Sequence, residues 1–416
     1  MDRIKATYLI ETPHDVEQAA AVLAGEQSCG TFVAVPGETA ELKERFAARV
    51  EYIEHLGEVS EPSLPGDLMV HTIFNRAKVT VSWSIENFGF NIPALLSTIQ
   101  GNLYELRQFT GLKLDNFELP DAYAGQFKGP TFGLTRTKKL AGVEAGEPMI
   151  GTIIKPSVGL TPEYTAELVK TLAAAGIDFV KDDELMTSTA NSPFAVRVEK
   201  IMQVINDFAQ QAGKKIMYAF NITGDLATMQ ANYETVLKAG GTCAMVSINS
   251  VGWAGIKQVC DWGELSIHGH RNGWGMLNRH PMLGINFPAY NKIWRLAGID
   301  QLHVNGIKNK FWESDDSVIR SIKSCLTPFL SNESILPVIS SGQWGGQAFE
   351  TYERTQTTEL LYLAGGGIRA HPSGPAGGVT ALRQAWQSSV DGYTLEEAAQ
   401  KYQEFGKSVA KFGAGH

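Results

Sequence analysis

The sequence predicts an α/β protein whose larger, C-terminal part is a (β/α)8 barrel of the TIM type. From about residue 148 onward, eight short apolar runs alternate with amphipathic segments of helical period. This alternation is typical of repeated βα units and a parallel sheet, and eight successive units fit a closed barrel best. The runs are MIGTIIKP, DFVKDDE, KIMYAFNIT, CAMVSINS, ELSIHGH, QLHVNG, ILPVISSG and ELLYLAGGG.

The first connection of the barrel shows both ends of a helix. Thr161 can cap the N-terminus, Pro162 suits the first helical position, and Gly176 follows the last apolar residue of the stripe. We therefore expect a helix between the first two barrel strands.

The first 140 residues lack this rhythm and predict a smaller α+β domain of the ferredoxin-like kind. Strand-like IKATYLIE, TFVAV and KVTVSWSIE accompany the helical segment VEQAAAVLAG, which indicates an antiparallel sheet. Glycine and proline in FKGPTFG and the charged run TRTKK mark a boundary. The predicted domains are residues 1–140 and 141–416.

Composition indicates a small-molecule substrate. The formal charge of −8 argues against nucleic acid or an anionic membrane as a partner, and no run of eighteen apolar residues predicts a membrane span. The N-terminus does not resemble a secretory signal, and the four scattered cysteines lack the spacing of a zinc site. We expect a cytoplasmic protein with reduced thiols.

Polar residues close the apolar runs, at the end of the barrel where active sites lie. They are Lys155; Lys181, Asp182, Asp183 and Glu184; His268, His270 and Arg271; His303 and Asn305; Ser340, Ser341 and Gly342; and Gly365, Gly366 and Gly367.

The segment DFVKDDE predicts a metal site. Side chains alternate along a strand, so Lys181 and Asp183 share one face and Asp182 points the other way. Glu184 can join them if the strand ends there. Three carboxylate-type groups would need a hard cation such as Mg2+, and a lysine could belong to such a set only as a carbamate formed with CO2. Neighbouring carboxylates oppose the loss of a proton from lysine that carbamate formation requires. The alternative to a metal site is a Lys–Asp ion pair on a loop.

Two further motifs allow more than one interpretation. The glycine run after the eighth strand and SSG after the seventh could bind phosphate through backbone N–H groups, or could be turns. The pair His268 and His270 could ligate a metal, as in amidohydrolase barrels, but there the HxH motif lies on the first strand. A hydrogen-bonded core histidine is the alternative for His268.

Taken together, these motifs resemble the ribulose-bisphosphate carboxylase (RuBisCO) large-subunit family over nearly the whole chain. The motifs are GTIIKPxxGL, DFxKDDE, HxHR, a lysine-bearing loop after the sixth strand, SG after the seventh, and GGG followed by HP. The N-terminal segments EQSCGTF and QGN are similar to two active-site segments of that family.

The resemblance implies a role for each matching residue. Lys181 would be carbamylated by CO2 and bind Mg2+ with Asp183 and Glu184, Lys155 would be the enolising base, and Lys310 would hold a substrate carboxylate from a mobile loop. His270 would orient groups near the metal. One phosphate site would comprise Arg271, His303 and Ser340, and the other Gly342, Gly365, Gly366 and Thr31. The family also implies a homodimer or an assembly of dimers, with Glu26 and Asn102 acting on the partner's barrel.

Departures from the carboxylases point away from carbon fixation. Ser157 stands where carboxylases have a second lysine, Trp274 replaces a histidine and Phe32 replaces a tryptophan. The chain therefore looks like a RuBisCO-like protein of the form IV type, similar around HVNGI and KFWES to those that break down branched, apiose-type sugar acids. We expect Mg2+-dependent decarboxylation, or transcarboxylation with hydrolysis, of a 3-oxo branched sugar-acid phosphate.

Three alternatives remain open. An isomerase or enolase acting on a ketose phosphate would use Lys155 but not Lys310. Ribulose-1,5-bisphosphate carboxylation would have to proceed without the lysine that Ser157 replaces. A non-catalytic sugar-phosphate binder would not need Lys155.

Overall fold

The computed structural model describes residues 2–29, 36–66, 72–330 and 334–413. The chain divides into two compact units, residues 1–128 with 273–296, and residues 129–272 with 297–416. Residues 273–296 thus pack with the N-terminal unit although in sequence they lie between two barrel strands. The domain boundary at residue 140 stays a prediction.

Within the described residues, thirteen strands form two sheets. The strands are β1 (Arg3–Thr12), β2 (Arg49–Val59), β3 (Phe74–Ser84), β4 (Gly111–Glu118), β5 (Met149–Ile153), β6 (Phe179–Lys181), β7 (Met217–Asn221), β8 (Cys243–Ser247), β9 (Ser266–His270), β10 (Leu283–Ile285), β11 (Gln301–Asn305), β12 (Leu336–Ser340) and β13 (Leu361–Leu363).

Helices connect and cover these strands. They are α1 (Val16–Glu26), α2 (Ala40–Phe46), α3 (Ile92–Ile99), α4 (Asp121–Ala124), α5 (Gly133–Leu140), α6 (Pro162–Ala174), α7 (Phe194–Ala212), α8 (Leu226–Lys238), α9 (Ile248–Val251), α10 (Trp253–Trp262), α11 (Trp274–Asn278), α12 (Phe287–Ala297), α13 (Asp315–Leu326), α14 (Gly346–Thr355), α15 (Gly366–Arg369), α16 (Gly374–Val390), α17 (Leu395–Lys401) and α18 (Gln403–Phe412), with short 3-10 helices at Ile85–Asn87 and Gly101–Glu105. None of these described helices is long and apolar enough to cross a membrane.

The N-terminal unit contains a five-stranded sheet in the order β10-β4-β1-β3-β2. Strands β1 to β4 pair antiparallel, as predicted, and β10 adds to β4 in parallel. The predicted strand TFVAV lies outside the described residues. Strand β2 was not predicted, because its residues are exposed along most of its length and no sustained alternation of apolar and polar residues marks it.

The C-terminal unit contains a closed parallel barrel in the order β5-β6-β7-β8-β9-β11-β12-β13, with β13 paired to β5. All eight predicted runs contribute one strand each. Residues from alternate positions fill the interior, among them Phe179, Met217 and Leu361. The first connection is α6, where the Thr161 hydroxyl accepts a hydrogen bond from the Tyr164 N–H and Gly176 follows the helix in a left-handed conformation (φ +79°).

Candidate active site

The carboxyl ends of the barrel strands hold the residues that the sequence analysis singled out. Lys181, His270 and Ser340 are the last residues of β6, β9 and β12, His303 lies in β11, and Lys155 follows β5 closely. Parallel strands place these ends at one rim of the barrel. The site can therefore be described within the C-terminal unit alone.

Lys181 is buried, with 1% of its surface exposed. Its Nζ donates to the Asp182 carbonyl at 2.8 Å and contacts Met245 Sδ at 3.4 Å. Burial lowers the pKa of Lys181 to about 8, although the carboxylates of Glu184, Asp183 and Asp182 act in the opposite direction. The effect of burial on the pKa of Lys181 is therefore larger than that of the neighbouring carboxylates, which were expected to oppose a neutral amine.

Asp183 and Glu184 face two other predicted site residues. Asp183 Oδ2 lies 2.5 Å from Lys155 Nζ, and Asp183 Oδ1 accepts the Leu185 N–H at 3.2 Å. Glu184 Oε2 lies 3.5 Å from His270 Nε2. Asp183 is buried and Glu184 about one-third exposed, so the pair presents carboxylate oxygens to the barrel rim.

The side chains of Lys181, Asp183 and Glu184 fit Mg2+ only if Lys181 is carbamylated. Within the described ranges, unmodified His, Cys, Asp and Glu side chains form no group of three that could hold a metal. A carbamate on Lys181 would add a carboxylate-type group to Asp183 and Glu184, and oxygen ligands are those that Mg2+ prefers. The lowered pKa of Lys181 favours the neutral amine that reacts with CO2.

Asp182 has a structural role on the opposite face of β6. Its carboxylate accepts the Tyr218 hydroxyl at 2.6 Å and the Asn221 N–H at 2.9 Å, and it pairs with Arg197 at 3.4 Å. All of these side chains are buried. Asp182 is thus separated from Lys181 and Asp183, as predicted, although β6 itself ends at Lys181.

Asn221, which the sequence analysis did not select, holds the turn that follows β6. Its Nδ2 donates to the carbonyls of Asp183 (3.4 Å), Glu184 (3.2 Å) and Met186 (3.0 Å). Its Oδ1 accepts from the Thr223 hydroxyl at 2.7 Å. The available signal was its place at the end of the apolar run KIMYAFNIT, the same criterion that identified the other strand-end residues.

Lys155 is accessible to a substrate, since 47% of its side chain is exposed. Its Nζ donates to Ser157 Oγ at 2.7 Å and pairs with Asp183. The serine that replaces the second lysine of the carboxylases therefore contacts the proposed base directly. The Lys155 amine is held between a hydroxyl and a carboxylate.

A chain of buried histidines runs beneath the rim. His268 Nδ1 contacts Gln301 Oε1, and His268 Nε2 lies 2.8 Å from His303 Nε2, while His303 Nδ1 lies 3.1 Å from Ser340 Oγ. Burial lowers the pKa of His268 to about 3 and holds the pKa values of His270 and His303 well below the usual value. These imidazoles are neutral at pH 7. Both nitrogens of His268 have side-chain partners, which agrees with the core-histidine interpretation and not with an amidohydrolase-type metal ligand.

Arg271 is almost fully buried and pairs with Glu313, whose Oε2 lies 2.9 Å from Arg271 Nη2. The same oxygen accepts Asn305 Nδ2 at 2.6 Å. The Arg271 guanidinium, which is predicted to bind phosphate, is therefore already paired with a carboxylate. Glu313 was not among the predicted site residues. Its position after Lys310 in the sequence did not indicate a contact with Arg271, because the loop that joins Lys310 to Glu313 is irregular.

The loop that carries Lys310 lies against the end of β12. The Lys310 N–H donates to the Ser341 carbonyl at 3.3 Å, and Lys310 Nζ lies 5.2 Å from the centre of the Phe311 ring. Ser341 and Gly342 both have positive φ, +76° and +84°. A serine in this region is strained, which is more frequent at functional sites. Lys310 and Gly342 are thus neighbours, although the family resemblance assigns them to different parts of the substrate.

The glycines after β13 leave space above the barrel. Among the described residues other than the adjoining ones, no atom lies within 4 Å of a Cβ built at Gly366, and the atom nearest to one at Gly365 belongs to Ile153, at 3.8 Å. Thr31, predicted to share this phosphate site, lies outside the described residues. Glu26 ends α1 and Asn102 lies in a 3-10 helix, both in the N-terminal unit.

Comparison with protein families agrees with this constellation. Residues 2–123 match the ribulose bisphosphate carboxylase large chain, N-terminal domain, and residues 135–412 match the large chain's catalytic domain. A rubisco-like protein of Burkholderia fungorum with a crystal structure is 41% identical, with a TM-score of 0.92 over 99% of this chain and 100% of that one.

Two curated relatives are more similar in sequence. The 3-oxo-isoapionate-4-phosphate transcarboxylase/hydrolase of Xanthobacter autotrophicus is 50% identical over 96% of this chain and 97% of its own. The 3-oxo-isoapionate-4-phosphate decarboxylase of Rhizobium etli is 47% identical over 99% of each chain. The chain therefore belongs to the ribulose bisphosphate carboxylase large-chain family, as a RuBisCO-like enzyme.

Proposed function

We propose that this enzyme removes or transfers the carboxyl group of a 3-oxo branched sugar-acid phosphate of the 3-oxo-isoapionate-4-phosphate class, in a Mg2+-dependent reaction. The observation that carries the proposal is the position of Lys155, whose exposed amine contacts Asp183 of the KDDE segment. The names of the two curated relatives support the substrate class.

The reaction requires an enolate. In a 3-oxo acid, the bond between the carboxyl carbon and C2 breaks, CO2 leaves, and the electron pair of that bond becomes an enolate delocalised onto the 3-oxo oxygen. When bound, Mg2+ would supply positive charge that stabilises this oxygen. The enolate carbon then takes up a proton. In transcarboxylation, a proton shift would instead place the enolate carbon on the other side of the 3-oxo group, CO2 would add to that carbon of the same molecule, and water would hydrolyse the new 3-oxo acid.

Different residues would bind the metal, bind the substrate carboxylate and donate the proton. The Lys155 ammonium is the proposed proton donor to the enolate carbon, because the microscopic reverse of enolisation by a base is protonation by its conjugate acid. Lys181, Asp183 and Glu184 would hold the metal. Lys310 would attract the carboxylate that is lost or moved.

Turnover with carbon NMR detection tests this assignment. The protein is supplied with Mg2+, CO2 and 3-oxo-isoapionate 4-phosphate, and NMR distinguishes released CO2 from a relocated carboxyl group. Either product supports the proposal and names the reaction. No turnover, together with enolisation of a plain ketose phosphate, would favour the isomerase alternative, and incorporation of CO2 into ribulose bisphosphate would favour carboxylation.

Replacing Lys310 with alanine should lower kcat/KM for carboxyl removal or transfer by about 100-fold, because the charge-assisted contact to the substrate carboxylate is lost. Lys308→Ala is the matched control, because Lys308 lies on the same loop but pairs with Glu350 at 3.0 Å. Steady-state rates of both variants provide the comparison. A Lys310→Ala enzyme with the wild-type rate would contradict the proposed role and favour isomerisation.

We also propose that the enzyme acts as a homodimer, or an assembly of dimers, in which Glu26 and Asn102 complete the partner's site. The family resemblance of their segments supports this. Glu26→Ala and Lys155→Met variants, each inactive alone, should regain part of the activity when co-expressed, because a mixed dimer contains one site with neither change. Activity that stays absent in isolated mixed dimers would contradict a shared site.

A further inference from the structure

Glu313 is a buried carboxylate that joins three parts of the barrel rim. Its side chain has 0% exposure. Oε2 accepts from Arg271 Nη2 at 2.9 Å and from Asn305 Nδ2 at 2.6 Å, and Oε1 accepts from Ser317 Oγ at 2.9 Å. Both oxygens therefore have hydrogen-bond donors, which a fully buried carboxylate requires.

The partners of Glu313 come from separate elements. Arg271 follows β9, Asn305 ends β11, and Ser317 lies in the first turn of α13. Asn305 extends the network to β12, because its Oδ1 accepts from Ser341 Oγ at 2.8 Å. One carboxylate thus connects the ends of three neighbouring strands.

Glu313 also closes the loop that carries Lys310. Asn309 Nδ2 donates to the carbonyls of Gly306 and Glu313, each at 3.0 Å, and so joins the two ends of the loop. Glu313 is the C-terminal anchor of this closure, while its carboxylate holds Arg271. The main chain of Glu313 thus closes the loop, and its side chain holds the guanidinium.

We infer that Glu313 is a positioning residue whose carboxylate orients Arg271 toward a phosphate group of the substrate, at the point where its main-chain carbonyl closes the Lys310 loop. This inference rests on the proposed function, in which Arg271 binds phosphate. A guanidinium has five N–H donors in one plane, so a carboxylate that holds one edge directs the others. Orientation before binding lowers the entropy cost of binding.

Binding of inorganic phosphate tests the inference without the complete reaction. Glu313→Gln should raise the dissociation constant for phosphate, measured by calorimetry, about tenfold, because a neutral amide holds the Arg271 guanidinium less strongly than a carboxylate does. Steady-state kinetics should show a larger rise in KM than fall in kcat. Glu350→Gln, which removes the ion pair of Lys308 without contact to Arg271, should bind phosphate as the wild type does.

A double variant separates positioning from general destabilisation. Adding Glu313→Gln to Arg271→Ala should weaken phosphate binding no further, because Glu313 acts through the guanidinium. If Glu313→Gln does not fold, Glu313→Asp keeps the charge with a shorter reach and should weaken binding in the same direction.

Three outcomes would overturn the inference. They are an unchanged dissociation constant in the position-313 variants, an effect that persists in full without Arg271, and a wild-type enzyme that binds no phosphate. The third would also remove the phosphate site from the proposed function. The first two, with wild-type turnover of the sugar-acid phosphate intact, would reject only the role of Glu313.

Discussion

Replacing Lys155 with methionine should lower kcat by about 10³-fold, within the range expected when a general acid or base is removed. Methionine keeps much of the side-chain volume but transfers no proton. The Lys155 amine, partly exposed and held by Ser157 and Asp183, is the group that the proposed mechanism uses to protonate the enolate carbon. Single-turnover measurements with carbon NMR would separate a slow protonation from slow substrate binding.

Lys155→Arg distinguishes proton transfer from charge. Arginine preserves the ion pair with Asp183 but stays protonated at all accessible pH values, so it should be almost as inactive as methionine. An arginine variant with near wild-type activity would show that Lys155 acts only as a cation. The proposal for this residue would then be wrong.

Replacing Lys181 with methionine should abolish Mg2+ binding and lower turnover at least about 10³-fold, since a catalytic metal contributes several kcal/mol to transition-state stabilisation. Methionine fills a similar volume and removes an amine whose burial lowers its pKa to about 8. The thermal unfolding temperature should therefore not fall. Calorimetric titration with Mg2+ in the presence of CO2, and thermal unfolding, are the two measurements.

Lys138→Met is the matched control for this variant. Lys138 is also buried, but it lies before the first barrel strand in the sequence. Its Nζ pairs with Glu359 at 2.8 Å. Removing it leaves the Glu359 carboxylate without that partner, so stability should fall while Mg2+ binding stays unchanged. Undiminished Mg2+ affinity in Lys181→Met would exclude a carbamate ligand at this position.

Local patterns carried most of the fold prediction. Each barrel strand is a short apolar run next to a helix of regular period, and these signals depend on residues close in sequence. The same locality explains the successful separation of Asp182 from Lys181 and Asp183, because side-chain alternation requires only neighbouring residues. The strand β2 was missed because it is exposed on both faces and lacks that alternation.

Long-range contacts account for what the sequence analysis did not find. The addition of β10 to β4 joins residues about 170 positions apart, and no local pattern indicates it. The ion pair of Arg271 and Glu313 spans 42 positions. Asn221 contacts carbonyls that lie 35 to 38 positions before it. The contacts of Arg271 and Asn221 form only when the closed barrel brings strand ends together, and the pairing of β10 with β4 forms only in the sheet of the N-terminal unit.

The amino-acid order was sufficient to predict the barrel and to propose which polar groups lie at its rim, because chain periodicity and strand-end chemistry are local properties. Folding in three dimensions established which groups touch and how strongly each is desolvated. Lys181 illustrates the difference. Its neighbours in sequence are carboxylates that favour the charged amine. Burial by residues from other strands nevertheless lowers its pKa. The reason is that the free energy of desolvation depends on everything packed around a group and not on the residues beside it in the chain.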